Sequence, residues 1–202
     1  MRDRHLAEAL IMKAALMESN VKSNDVIELL LHHYYLLLCE GCSNYDFEKV
    51  YPRSSKVKKS KSEIIVASPR NLSEARLFAK SRIVDIVSFG ASNLRYLDSS
   101  QVELLIQSGK AIELRINELI TDYKALGRLR RFASLLINKE IATSFTCSPS
   151  RALEICVPHQ VISLLKTLEL GEEDSLTLWS LSTNYVLSLV ESKGMKKVLR
   201  RD

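Results

Sequence analysis

The chain has few residues of the kinds that break structure or bind metals. Of 202 residues, six are Gly and four are Pro. That is too few for long disordered or low-complexity stretches. Histidine occurs four times, at His5, His32, His33 and His159. No H-x-H or H-E-x-x-H spacing joins them, and none ends an expected strand. The pattern therefore lacks the convergent ligands of a metal-dependent phosphoesterase barrel. There is no G-x-S-x-G elbow for a serine nucleophile. The phosphate loops G-x-G-x-x-G and G-x-x-x-x-G-K are absent too. No apolar run is long enough to span a bilayer. The first residues lack the apolar stretch and cleavage site of a secretory signal, so a cytoplasmic chain is expected. Residues 1–13 read as an amphipathic extension, with Met17 an alternative start.

Cysteine is also sparse: Cys39, Cys42, Cys147 and Cys156. Without a secretion signal all four are expected to be reduced thiols. Cys39 and Cys42 have C-x-x-C spacing, which fits half a zinc site or a redox pair. Cys147 and Cys156 lie too far apart in sequence to supply the usual second half. The pair then reads as a strand end followed by a glycine turn.

The rest of the composition is that of a globular chain: 46% hydrophobic and 26% charged residues. Short apolar runs alternate with amphipathic stretches of ten to fifteen residues. Strands are expected in "AALMESNV", "YLLLCEG", "KSEIIVASP", "RIVDIVSFG", "KAIELRI" and "IATSFTCS". Helices are expected in "NLSEARLFAKS", capped by Ser73, and in "DSSQVELLIQSG", capped at Asp98 or Ser99 and stopped by Gly109. A long interrupted helix follows in "NELITDYKALGRLRRFASLLINKE". Another opens at Pro158 and closes at Gly171, and "NYVLSLVES" is the last. Such alternation predicts βαβ units and a parallel sheet. The count suits one compact TIM-like α/β barrel over residues 1–202.

Three strand positions carry acids: Glu18, Asp85 and Glu113. Asp85 stands inside the apolar run Ile83–Phe89, where a buried carboxylate needs a partner. In a closed barrel these acids face the lumen and bond donors such as Arg115, a polar core rather than a catalytic one.

The net charge is +5 and the pI about 9.0. The cations cluster. "RSSKVKKSK" at 53–61 has five and no acid, "KALGRLRR" at 124–131 four and no acid, and "KGMKKVLRR" at 193–201 five and no acid. Acid-free basic clusters suit phosphate contacts. Tyr51, Tyr96 and Tyr123 lie near basic residues and are candidates for stacking on bases. Arg128, Arg130 and Arg131 are the foremost RNA-binding candidates. Lys56, Lys58 and Lys59 are a secondary set.

Three segments together resemble the protein component 3 family of archaeal ribonuclease P, related to the eukaryotic thirty-kilodalton subunit. "NLSEARLFAKSRIVDIVSF" is similar to that family's Arg-containing helix and "VDIL"-like strand, with Arg76 and Val84–Val87 at the matching places. "VELLIQSGKAIELRINELI" is similar to its helix, Gly turn and "VAIEI"-like strand, with Glu113 on the acid. "RALEICVPHQVISLLKTLELGEEDSL" with "NYVLSLV" is similar to its closing region. Two features depart from the family: Cys156 stands at the closing motif's Arg, and "TCSPS" replaces Ser-Gly-Ala. The resemblance implies a TIM-like barrel that binds RNA and adds Arg76 and Arg115 to the candidates. It implies an accessory subunit of an endoribonuclease that removes the 5′ leader of precursor tRNA, with catalysis by the RNA. The implied partners are ribonuclease P RNA, precursor tRNA through the complex, and a small ferredoxin-like subunit, with no membrane. No cofactor is expected on this chain, and Mg²⁺ is expected with the RNA. The alternative is a metal-dependent phosphoesterase of a related barrel superfamily.

Overall fold

The computed structural model describes residues 64–147 and 154–192, together with four strand segments outside them. Those strands are β1 Ala15–Glu18, β2 Leu36–Cys39, β3 Phe47–Val50 and β8 Leu199–Arg200. Between them run β4 Ile64–Ala67, α1 Leu72–Lys80, β5 Ile86–Phe89 and α2 Ser99–Gln107. Then come β6 Ala111–Arg115, α3 Ile116–Ile120, α4 Tyr123–Asn138, β7 Thr143–Thr146, α5 Pro158–Thr167 and α6 Glu172–Ser192.

The expected α/β class is found. Strands β3 to β7 form one parallel sheet in sequence order. A second sheet has the order β1-β2-β8, with β1 parallel to β2 and β8 antiparallel to it. Strand β1 also lies against β7, and α6 packs over both.

The strands form where the sequence is continuously apolar, because a parallel sheet is covered on both faces. All residues of β4, β5, β6 and β7 are buried. Alternate residues diverge. Ile65, Ala67, Val87, Phe89, Ile112, Leu114 and Phe145 join the core beneath the helices. Ile64, Val66, Ile86 and Ala111 face the other way and meet Val186 and Leu189 of α6. Trp179 of α6 is buried and stacks near Phe145, ring centroids 6.4 Å apart.

The helix ends follow capping chemistry. Asn71, not Ser73, caps α1, its side chain accepting from Glu74 N at 2.8 Å. Asp98 caps α2 as expected, accepting from Gln101 N at 2.8 Å. Gly109, with φ 64°, takes the left-handed turn just beyond α2. Asp122 accepts from Lys124 N and Ala125 N and so separates α3 from α4. After α5 the left-handed turn is made by Glu169 (φ 64°) rather than by Gly171. Residues 172–192 are one helix, where the sequence suggested only its last part.

Strand β5 starts at Ile86, so Asp85 stands at its entrance and not in its middle. The carboxylate Oδ2 accepts from Ile65 N at 2.9 Å, while Asp85 N donates to Ile65 O at 2.9 Å. Burial, and then the Asp85 carboxylate, push the Tyr185 hydroxyl's pKa well above its ordinary value. Asp85 thus extends the β4–β5 ladder by a side chain. Asp85→Ala should cost about 1–2 kcal/mol, because the buried Ile65 N–H loses this acceptor. A urea melt measures it. A variant that melts as the parent does would contradict the assignment.

The expectation of four reduced thiols fails for one pair. Cys147 and Cys156 are joined by a disulfide, S–S 2.07 Å. They are nine residues apart in sequence, but the end of β7 and the approach to α5 meet in space. Asn117 ties the same place, donating from Nδ2 to Cys147 O at 2.7 Å and Glu154 O at 2.9 Å. Cys42 and the Cys39 side chain lie outside the described residues.

Candidate nucleic-acid interface

Two polar regions stand out, one at the C-terminal ends of the parallel strands and one along the helix that precedes β7. The first is buried. Ser68 just beyond β4, Ser88 next to the last residue of β5 and Arg115 at the end of β6 are all buried. The Arg115 guanidinium donates from Nη1 to Ser88 Oγ (2.5 Å) and to Ser68 Oγ (3.3 Å). Its Nε and Nη2 both donate to the Glu118 carboxylate, at 2.5 and 3.1 Å. Gly90 makes room for this pair, since a Cβ there would fall on the Glu118 carboxylate and the Arg115 guanidinium. Asn93 closes the layer. Its Oδ1 accepts from Gly90 N at 2.7 Å, and its amide donates to Ser68 Oγ, Pro69 O and Ser88 O. Glu113, one turn of pleat deeper, accepts from Thr146 Oγ1 at 2.9 Å. The expectation of a polar core is met in kind, with a correction to its members. Arg115 engages Glu118, and Asp85 sits at the opposite end of the strands. The side chain of Glu18 lies outside the described residues.

The second region is the outer face of α4. Ala125, Leu129, Ala133 and Leu136 are buried. Their spacing of three and four turns the opposite face to solvent. That face carries Lys124, Arg128 and Arg131 in one stripe, with Lys139 just past the helix end; Arg128 is half-buried and the others are exposed. No acid occurs from Tyr123 to Lys139. Among the described residues none of these four forms an ion pair. Arg130 lies at the edge of the stripe and pairs with Glu169. The helix also packs against the 3-10 turn Leu94–Tyr96, where exposed Arg95 lies over the Tyr96 ring at 5.0 Å.

The candidates therefore separate. Arg128, Arg130 and Arg131 lie on one exposed helix. Arg76 does not join them. Its Nη2 donates to both oxygens of Asp98 at 2.7 Å, and its Nη1 donates to Gln101 Oε1 at 2.7 Å. Burial works to raise the Asp98 pKa, yet the bonds from Arg76 and Gln101 N hold it below its ordinary value. Arg76 thus locks α1 to the start of α2. Arg115 is buried in the polar layer, where Glu118, Ser88 and Ser68 engage its guanidinium. Lys56, Lys58 and Lys59 lie outside the described residues, as do His5, His32 and His33. His159 is exposed on α5. Among the described residues no three His, Cys, Asp or Glu side chains converge as a metal site. Lys139 and Arg95 were not among the candidates. The spacing of α4 could have found Lys139, but Arg95 stands alone in sequence and carries no signal.

No protein-family model matches the sequence, and no curated protein does. A solved structure does match: a chain in the cryo-EM structure of archaeal ribonuclease P with mature tRNA. The likeness covers 100% of this chain and 92% of that one, with a TM-score of 0.66 and 19% identity. The two chains share a fold. At this identity the likeness speaks to the path of the backbone, and the side chains must be argued for themselves.

Proposed function

We propose that this chain is an RNA-binding protein subunit of ribonuclease P. It would be an accessory component of the ribonucleoprotein that removes the 5′ leader from precursor tRNA, with the RNA supplying catalysis. The observation that carries the reading is the whole-length likeness to a chain of archaeal ribonuclease P. The acid-free face of α4 supports it, because several cations on one helix, without an ion pair among the described residues, suit a phosphate backbone. In this reading the two sheets are arcs of one TIM-like barrel, consistent with β1 lying against β7. The protein component 3 family is the specific relationship proposed. A small ferredoxin-like subunit is the proposed protein partner, and Mg²⁺ acts with the RNA rather than on this chain.

The test is reconstitution of precursor-tRNA cleavage from the RNA and its protein subunits, with and without this chain. Adding it should raise the cleavage rate and lower the Mg²⁺ required. A protein that binds only the folded RNA stabilises that fold by mass action. The chain alone should leave precursor tRNA intact. An unchanged rate and Mg²⁺ requirement would sink the proposal, and so would cleavage by the chain alone.

A further inference from the structure

Among the described residues, Tyr123 is the most exposed large apolar side chain, at 79%. It is also the only aromatic among those strongly exposed. It opens α4, immediately after the Asp122 cap, and Ile120 three residues before it is 50% exposed. A solvated ring and an aliphatic side chain together give a small apolar surface. Its surroundings are cationic. Lys124 Nζ lies over the Tyr123 ring, 5.8 Å from its centroid. Arg128 and Arg131 follow Lys124 at helical spacings of four and three, so three cations rise along one line over about 10 Å. Asp122 is the nearest acid in sequence, and its carboxylate is engaged by the backbone N–H groups of Lys124 and Ala125, while Glu169 is taken up by Arg130.

A duplex offers phosphates to such a surface but hides its base faces. A loop or single strand offers both. We propose that Tyr123 stacks on an unpaired nucleobase while Lys124, Arg128 and Arg131 hold the adjoining phosphates. This deepens the ribonuclease P reading by naming the RNA element taken at α4: an unpaired segment rather than a helix. The cap fixes the backbone that carries the ring before binding, so only the side-chain rotamers are left to be ordered when a base arrives. Every base has a π-face, so the contact tolerates sequence.

The probe is a short single-stranded RNA carrying one 2-aminopurine, beside a duplex of the same length. Binding of the single strand to the full chain should quench the fluorophore. Tyr123→Ala should weaken single-strand binding about tenfold and abolish the quench, since a stacked base typically contributes on that scale. Tyr123→Phe should retain both, and duplex binding should be unaffected by either change. A melt of each variant confirms folding, which the exposure of the ring leads us to expect. Suppose Tyr123→Ala binds the single strand as tightly as the parent, while Arg128→Glu with Arg131→Glu still weakens it. The stacking proposal then fails and the RNA-binding reading stands. If neither RNA binds in a salt-dependent way, both fail together.

Discussion

A chain carrying Arg128→Glu and Arg131→Glu is expected to bind ribonuclease P RNA at least about thirtyfold more weakly in 0.1 M salt. The size follows from counterion release. Each lost phosphate contact removes about 0.7–0.9 from the slope of log affinity against log salt. Two contacts remove about 1.4–1.8, which is roughly thirty- to sixtyfold at one decade below molar salt. The introduced carboxylates repel phosphate and add to the loss. Stability should change little. Arg131 is exposed, Arg128 half-buried, and neither is in an ion pair among the described residues. The measurement is a binding isotherm at several salt concentrations, beside a circular dichroism melt. A folded variant with the parent's affinity and slope would show that this face does not touch RNA. Reversing Arg76 as a comparison should act through stability instead, because Asp98 and Gln101 hold it.

The second large effect concerns the buried layer. Glu118→Gln should destabilise the fold by about 2 kcal/mol and Arg115→Ala by about 3 kcal/mol. Removing one member of a buried ion pair costs roughly 3–5 kcal/mol. The lower figure for Glu118 reflects its side chain, which is 46% exposed against 8% for Arg115. Arg115→Ala also removes the donor that Ser68 and Ser88 share. Gly90→Ala attacks the same pair from the other side, by crowding it. The two changes should therefore not add: Glu118→Gln with Gly90→Ala should cost clearly less than the sum of the single variants. Urea midpoints for the four proteins decide this. Strict additivity would mean that Gly90 is needed for some other reason.

Much of the fold was legible because parallel strands are apolar throughout. "EIIVAS", "AIELR" and the glycine and aspartate at the ends of α2 announced themselves. The misses have physical causes. Strand β3, "FEKV", is half charged and carries no apolar run. Strand β8 is two residues long and lies within a basic cluster. Helix α6 contains Ser and Thr at several interior positions, which weaken its periodicity although Ser175, Ser182 and Thr183 are buried in the packing. Of the candidate site, the α4 cations were readable because one helix orders them by spacing alone. The fates of Arg76 and Arg115 were not equally hidden. Glu118 stands three residues after Arg115, a spacing that pairs charges on a helical turn. Asp98 is twenty-two residues from Arg76, and only the packing of α1 on α2 brings them together. The cysteine pair was missed for the same kind of reason, since sequence spacing does not report the return of the chain.

The pairing of β2 with β8 sets a schedule for the ribosome. Leu36 stands opposite Arg200 in the register of the two strands. Strand β1 packs against β7 and beneath α6, both from the far half of the chain. The β3–β7 sheet is assembled from neighbours in sequence and can form progressively as each strand emerges. The first two strands cannot. They must wait until β7, α6 and β8 have been synthesised. Early segments that wait for late ones fold slowly and expose strand edges meanwhile. Nascent chains halted before α6 should therefore hold a protease-resistant middle and a cleavable beginning.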